Sequence, residues 1–254
     1  MEIEGLILKK QVIKDHDLLV SVLARDGKNY SIYCYGAQSS RKGKASILEL
    51  GMMNRYNLRK RGDSYSLINV ESIWLHDKIR FDFLLFSALA FMCEVVLKIA
   101  PPGNEDSHSE SVELFSIMSN AIFHLNQCNT KDLSNLLALF VIKITKFQGI
   151  MFNVTQCIYS DRESTSKDKV ILSFSGGGFG LTEYGDKELA NYDNDIELWK
   201  ISKILVATNF KDLPLSFTIS TIQFNKLFSF LCFQLNFIVE QFNTFKLLNK
   251  CFKN

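Results

Sequence analysis

The chain has 254 residues, of which 47% are apolar and 22% are charged, a balance that excludes a largely disordered or fibrous protein. At this length the chain can bury a substantial core without disulfide or metal staples. The net charge of +2 is unevenly distributed, because residues 1–80 contain 14 Lys and Arg against nine Asp and Glu. This N-terminal third either attracts a polyanion or presents a solvated face of mixed charge.

Five strand-like segments are predicted within residues 1–78. They alternate apolar and polar residues or are rich in β-forming residues, and turn chemistry separates them. The segments are "GLILKKQVI", "DLLVSVLA", "NYSIYCYG", "MMNRYNLRKRG" and "YSLINVESIWLH". Five short strands with a basic bias are compatible with a small closed barrel of the OB type and also with an SH3-like barrel, and periodicity does not separate the two.

Helical periodicity replaces the strand pattern from Asp77 onward. The first predicted helix ends at Pro101, Pro102 and Gly103, and Ser109 or Ser111 is a candidate cap for the second. Further helices are predicted at about 132–148, closed by Gly149, at 193–209 and at 218–249, with an irregular insertion at about 150–190. The sequence therefore predicts an α+β chain with an OB-type barrel domain at 1–78 and a mainly helical domain at 79–254.

Targeting and redox signals are weak. The six cysteines are scattered without a C-x-x-C pair, which is typical of reduced and mostly buried cysteines. Polar residues such as Glu94, Lys98 and Gln234 interrupt the two long apolar tracts, which favours buried helices over membrane spans. The apolar run near the N-terminus is too short for a signal peptide. We expect a soluble cytoplasmic protein without membrane contact.

The glycine-rich stretch "KVILSFSGGGFGLTEY", residues 169–184, invites comparison with phosphate-binding loops. Gly176 and Gly178 match the start of a dinucleotide fingerprint, but position 181 is Leu. Gly180 is followed by Leu181 and Thr182 instead of the Lys of a Walker loop. The stretch is therefore predicted to be a hairpin or tight turn.

Metal and catalytic motifs are equally poor matches. Cys157 is followed at position 160 by Ser, and a structural zinc needs four ligands, so we expect a packed apolar cysteine and no metal. Asp15 and Asp17 are spaced to share a strand face and to bind Mg²⁺, but the favoured interpretation is that they cap a turn. No catalytic motif is present, and we expect a protein that is not an enzyme and has no cofactor.

Basic residues form three clusters in the predicted barrel and are the candidate DNA contacts. They are Lys9, Lys10 and Lys14 along the first strand and its turn, Arg41, Lys42 and Lys44 in the loop "SSRKGKAS", and Arg59, Lys60 and Arg61 at a later turn. Tyr33, Tyr35 and Tyr56 are candidate stacking faces for bases. The alternatives are that these charges only keep hairpins soluble, or that the barrel of a helical adaptor protein binds protein instead of nucleic acid.

The N-terminal sequence "EGLILKKQVIKDHDLLVSVLARDGKNYSIYCYGAQSSRKGK" resembles the opening of the bacterial RecO family of recombination mediators. The similarity continues through "LRKRGDSYSLINVESIWLHDKIRFDFLLFSALAFMCEVV", "KITKFQGIMFNVTQC" and the C-terminal "NFIVEQFNTFKLLNK". Two positions depart from the family pattern. Gln38 stands where a basic residue is usual, and the four zinc cysteines typical of many members are reduced to Cys157, so that "SGGGFG" resembles the turn of a ribbon without its metal.

The resemblance implies an OB fold followed by a helical domain, and a nucleoid-associated role in DNA repair and homologous recombination. It also implies binding and annealing of single- and double-stranded DNA, and recombinase loading with RecR on DNA coated by single-stranded-DNA-binding protein (SSB). For the acidic, apolar C-terminal tail of SSB, the candidates are Lys143, Lys146 and Phe147, which share the end of one predicted helix. The alternative is that Phe147 belongs to the core and both lysines are solvated.

Overall fold

A computed structural model describes residues 1–39, 44–62, 64–103, 112–163, 165, 168–184 and 194–252. Packing divides the chain into two compact units, one of Met1–Thr130 with Phe242–Asn254 and one of Lys131–Gln241. The domain boundary at residue 78 stays a prediction; it falls within the first unit. No helix in the described ranges has the length and apolar character needed to cross a membrane.

Five strands form a closed barrel in the first unit. They are β1 (Glu2–Lys14), β2 (Asp17–Ala24), β3 (Asn29–Cys34), β4 (Met53–Arg61) and β5 (Ser64–Trp74). Their order is β1-β2-β3-β5-β4, with β3 and β5 parallel and the other neighbours antiparallel. This is the strand order of an OB fold, so the predicted barrel is confirmed and the OB alternative is the correct one.

The residues of the barrel core follow from the alternation of inward-facing and outward-facing side chains along each strand. Leu18, Val20 and Val22 of β2 are fully buried, while the residues between them face outward. In β1 the alternation is broken by a bulge between Ile7 and Lys9, where β1 also contacts a helix. Each such aliphatic side chain contributes roughly 1.5–3 kcal/mol by leaving water.

Seven α-helices lie in the described part of the chain. They are α1 (Asp77–Phe81), α2 (Phe83–Ile99), α3 (Val112–Gln127), α4 (Leu133–Phe147), α5 (Ile196–Ala207), α6 (Thr221–Gln234) and α7 (Asn243–Cys251). The single helix expected from Asp77 is two, because the Asp82 carboxylate accepts hydrogen bonds from the N–H groups of Leu84 and Leu85 and starts a new helix. Ser109 and Ser111, the predicted caps of α3, lie outside the described residues.

The prediction of one helix over 218–249 is wrong. α6 ends at Gln234, and Asn236 adopts a left-handed backbone with φ 55°, a conformation that asparagine tolerates better than most residues. A short 3₁₀ helix, Val239–Gln241, and then α7 follow, and α7 packs on α2 in the first unit. There Phe245 lies 5.8 Å from Phe91 between ring centroids, and the Thr244 N–H donates to the Glu94 carboxylate at 3.1 Å.

The second unit contains α4, α5, α6 and a two-stranded sheet of β6 (Val170–Ser173) and β7 (Gly178–Leu181). Gly149 has φ 71° just after α4, in the C-terminal role predicted for it. Trp199 of α5 is fully buried, stacks on Phe179 of β7 at 5.5 Å and donates its indole N–H to the Val154 carbonyl. These contacts tie the insertion to the helices.

Candidate nucleic-acid interface

The β1–β2 hairpin presents the first predicted basic cluster. Lys14 pairs with Asp17 across a two-residue turn, and the side chains of Lys9 and Lys14 are exposed. Lys10 differs, because its Nζ is 2.6 Å from the Glu49 carboxylate. Two of the three predicted lysines are therefore presented to solvent at this hairpin, while the charge of Lys10 is already balanced.

The β4–β5 hairpin presents a second cluster at its tip. Arg59, Lys60 and Arg61 are all exposed, and they pair across the hairpin with Ser66, Tyr65 and Ser64. No carboxylate in the described part of the chain lies within 4.0 Å of these three cations. The tip therefore carries three adjacent positive charges that can meet phosphates.

Two other cations of the barrel, Arg25 and Arg55, are paired with carboxylates. Arg55, on the same outer face of β4 as Arg59, contacts Glu2, Glu4 and Glu71 at 3.7, 2.8 and 3.8 Å. Arg25 contacts Glu4 at 2.7 Å, and together Arg25 and Arg55 lower the pKa of the Glu4 carboxyl. The charges of Arg25 and Arg55 are therefore balanced, whereas in the part of the chain that the structure describes no carboxylate lies within 4.0 Å of the cations at the β4–β5 tip.

The loop after β3 begins beside the β1–β2 turn. The Gln38 N–H donates to the His16 carbonyl at 3.1 Å, and the Gly36 N–H donates to Asp17 Oδ1 at 2.7 Å. Asp17 thus caps a turn, as predicted. Arg41 and Lys42 lie outside the described residues, and Lys44 begins the short 3₁₀ helix Lys44–Ile47.

The predicted stacking faces divide into two groups. Tyr33, on the outer face of β3, and Tyr35, in the turn just after β3, have stacked rings with centroids 6.2 Å apart and planes at 16°, and Tyr35 is 53% exposed. Tyr56 is 0% exposed inside the barrel, where its hydroxyl accepts a hydrogen bond from Asn54. The assignment of Tyr56 as a stacking residue is wrong, because Tyr56 alternates with the outward-facing Arg55 and Asn57 of β4.

A groove of about 470 Å³ opens beside Tyr33 on the outside of the barrel, and the sequence analysis did not identify it. Its lining comes from β2, β3, the start of β5, the last turn of α2 and the segment that follows α2. The lining residues are Leu19, Asn29, Tyr30, Ser31, Tyr33, Ser64, Tyr65, Leu97, Ala100, Pro102 and Gly103. The alternation of β2 and β3 could have identified the lining residues that face outward from these strands. The contribution of Pro102 and Gly103 could not have been predicted, because it depends on a contact between segments that are distant in sequence.

Comparison with known proteins agrees with this architecture. The family model described as "Recombination protein O C terminal" matches residues 80–218, more than half of the chain. The chain belongs to the RecO family. A protein of Caldicellulosiruptor bescii named DNA repair protein RecO is 22% identical over 210 residues, covering 83% of this chain and 82% of the relative. Another of that name, from Clostridium acetobutylicum, is 20% identical over 219 residues, covering 82% of this chain and 85% of the relative.

Membership of the RecO family raises the question of zinc, which many members carry. Here the glycine stretch forms the predicted turn: β6 and β7 pair antiparallel from Ser173 and Gly178, and Gly177 has φ 73°. Cys157 beside it is the one cysteine of the insertion, and among the described residues no three His, Cys, Asp or Glu side chains cluster to hold an ion. A structural zinc takes four such ligands, so the residues present do not fit one.

Cys157 is buried, as predicted, but its surroundings are not simply apolar. The sulfur accepts hydrogen bonds from the N–H groups of Tyr159 at 3.4 Å and Leu181 at 3.2 Å. Burial alone would raise the pKa of this thiol, yet hydrogen bonds to the sulfur lower the pKa below its ordinary value. Backbone N–H groups from the segment after Cys157 and from β7 therefore both donate to this sulfur.

The residues implied for an SSB tail in the RecO family lie at the end of α4. Lys143 and Phe147 are half-buried and Lys146 is exposed, and their spacing places all three on one side of the helix. Partial burial, reinforced by the charge of Lys146, lowers the pKa of Lys143. Half-burial of Phe147 leaves part of its ring available for contact.

Proposed function

We propose that this RecO-family chain is a DNA repair and homologous recombination mediator that binds DNA through the hairpin tips of its barrel. The observation that carries the proposal is the row of Arg59, Lys60 and Arg61, three exposed cations without a carboxylate partner among the described residues. Lys9 and Lys14 of the β1–β2 hairpin extend the positive surface, as do Arg41, Lys42 and Lys44 if their loop is engaged. Lys10 contributes less because of Glu49.

The chemistry of such binding is neutralisation of phosphates without base-specific contacts. Each phosphate that a Lys or Arg neutralises releases a counterion, so affinity falls steeply with salt. Loops at one end of an OB barrel and the face of its second and third strands are common sites for oligonucleotides. The protein thus binds both single- and double-stranded DNA and promotes annealing, acting without a catalytic site and without a cofactor.

The helical part, residues 79–254, serves as the protein adaptor in this proposal. It contacts RecR, and the side of α4 that carries Lys143, Lys146 and Phe147 receives the C-terminal tail of SSB. An exposed cation next to a half-buried ring suits a tail that is both acidic and apolar. These contacts place the protein on SSB-coated DNA in the cytoplasm, at the nucleoid.

A fluorescence-anisotropy titration of the full chain with a labelled single-stranded oligonucleotide tests the proposal. The dissociation constant is measured at several salt concentrations, and binding that weakens linearly on a log–log plot supports phosphate contacts. The triple variant Arg41→Ala/Lys42→Ala/Lys44→Ala is expected to weaken binding and flatten this slope. If the native chain shows no salt-dependent binding, DNA binding is refuted and the barrel is better assigned to a protein partner.

A further inference from the structure

A second cavity, the His76 cavity, lies in the first unit where the segment before β4 meets α1 and α2. Its volume of about 220 Å³ is below the roughly 300–1,000 Å³ of pockets for drug-sized ligands, so it suits a single ring. The lining residues are Glu49, Leu50, Met52, His76, Ile79, Arg80, Phe86 and Leu89. None of them belongs to the β4–β5 tip or to α4. The proposed function therefore gives this cavity no role.

His76 provides a hydrogen-bond acceptor. The residue is 1% exposed, burial lowers its pKa, and its Nε2 contacts the Gly51 carbonyl. Because a carbonyl only accepts, the neutral ring carries its proton on Nε2 and leaves Nδ1 as an acceptor. Nδ1 is buried and has no hydrogen-bond partner in the described structure. A ligand that brings an N–H or O–H group to Nδ1 therefore gains a hydrogen bond.

Arg80 provides a positive charge at the rim of the cavity. Its side chain is exposed, and no carboxylate in the described ranges of the chain lies within 4.0 Å of it. The acid on the rim, Glu49, is by contrast paired with Lys10 at 2.6 Å. A guanidinium matches the geometry of a carboxylate with two parallel hydrogen bonds. The rim therefore suits a ligand that carries a carboxylate.

Exposed phenylalanines adjoin the cavity. Phe86 lines it and is 41% exposed, and Phe83, one turn earlier on the same side of α2, is 65% exposed. Phe81, at the end of α1, is 90% exposed. Large apolar side chains close together on a surface mark protein contact sites, in which an anchor side chain fills a central pocket. A free metabolite would leave Phe81 and Phe83 exposed, so a protein segment is the better occupant.

We propose that the His76 cavity is a docking site for a segment of a partner protein. The segment inserts one aromatic side chain that has a hydrogen-bond donor, a tryptophan or a tyrosine, and carries a carboxylate beside it. The donor bonds to His76 Nδ1, the ring packs on Ile79 and Phe86, and the carboxylate pairs with Arg80. The inference does not rest on DNA binding, because none of these residues is among the proposed DNA contacts.

The test titrates the full chain with three capped peptides and measures each dissociation constant by NMR. The reference is acetyl-Trp-Glu-amide. Acetyl-Trp-Gln-amide lacks the carboxylate and should bind about 1.5- to 5-fold more weakly, as expected for loss of an exposed ion pair. A peptide with naphthylalanine in place of Trp keeps the ring size but lacks the N–H. It should bind about 2- to 12-fold more weakly, through loss of one hydrogen bond.

The imidazole nitrogen signals report on the acceptor without substitution of a buried residue. The chain has four histidines, so the ring signals are few. Both peptides that carry an indole N–H should shift the Nδ1 signal of His76. The naphthyl peptide should leave that signal in place, because it has no donor for Nδ1.

Two variants at the rim alter the site in different ways. Arg80→Gln should abolish the discrimination between the Glu and Gln peptides. Leu50→Trp, at a half-buried lining position, fills the cavity and should weaken the reference peptide by more than about fivefold. The matched control is Lys200→Gln, which removes an exposed cation from the other unit and should keep both the affinity and the discrimination. Circular dichroism of each variant verifies folding.

The docking site is refuted if the native chain does not bind the reference peptide, or if the naphthyl peptide binds as tightly as the reference. It is also refuted if Arg80→Gln keeps the discrimination or Leu50→Trp keeps the native affinity. Free indoleacetate separates the two sources of such a ligand. If the free acid binds more tightly than the peptide, the cavity is a metabolite site and docking of a protein segment is overturned.

Discussion

Replacing the three cations at the β4–β5 tip should change the salt dependence of DNA binding by a predictable amount. Arg59, Lys60 and Arg61 are exposed and have no carboxylate partner among the described residues. Each phosphate contact contributes about 0.7 to the slope of log affinity against log salt on a single strand. Loss of all three in Arg59→Ala/Lys60→Ala/Arg61→Ala therefore lowers the slope by about 2.

The same change can be expressed as affinity. Because the slope of the variant is lower by about 2, raising the salt from 50 to 200 mM reduces the ratio of native to variant affinity by about 20-fold. The variant thus binds much more weakly at low salt and approaches the native chain at high salt. Anisotropy titrations at four or five salt concentrations in this range give both slopes. The fold should persist, because the Ser66 hydroxyl bonds to the backbone carbonyl of Arg59, which the substitution retains.

Arg55→Ala is the matched control on the same strand. Arg55 and Arg59 both point outward from β4, but the Arg55 guanidinium is held by Glu2, Glu4 and Glu71. Removing a cation that is already balanced should change the slope by less than about 0.7, the contribution of one phosphate contact. The reasoning is refuted if Arg55→Ala flattens the slope as much as the triple variant, or if the triple variant leaves it unchanged.

Three further changes test the fold. Trp199→Ala should lower the free energy of unfolding by about 3–5 kcal/mol in a urea titration, because the buried indole and its hydrogen bond to Val154 are both lost. Gly177→Ala should cost about 1–2 kcal/mol in the same assay, since φ of 73° strains a side chain, while Gly177→Asn should cost less. Glu4→Gln should cost up to about 1 kcal/mol at pH 7. The folded pKa of Glu4 is lowered by Arg25, so the Glu4 contribution is present above its unfolded pKa and disappears as the pH falls through the folded value.

The strands could be predicted from sequence because a half-buried strand has a period of two that each segment shows by itself. All five segments became strands of the barrel, and their order decided between two barrel types that have similar local patterns. The helices were harder to delimit. The breaks at Asp82 and Asn236 depend on one side-chain cap and one left-handed residue inside otherwise apolar runs. The spacing of apolar residues alone predicts neither of these helix breaks.

Side-chain direction could have been predicted more fully than it was. Tyr56 stands between Arg55 and Asn57, so the alternation of β4 already assigns it to the opposite face from the charges. The surroundings of Cys157 could not have been predicted, because the Leu181 N–H that reaches its sulfur lies 24 residues away. A local pattern reports which side of a strand a residue occupies and not which distant group meets it.

The same limit decides how charge should be read at the candidate interface. A count of cations in residues 1–80 does not distinguish Lys10, Arg25 and Arg55 from Arg59. The carboxylates that pair with Lys10, Arg25 and Arg55 belong to Glu49 and Glu4, which lie 21 to 51 residues away from their partners in sequence. Only the closed barrel brings those carboxylates beside their partners. The fold therefore separates the cations into two groups: Lys10, Arg25 and Arg55 are paired with carboxylates, whereas Arg59, Lys60 and Arg61 at the β4–β5 tip have no carboxylate partner among the described residues. Under the proposed function, we expect a polyanion to bind preferentially at the cations that have no carboxylate partner in the described part of the chain.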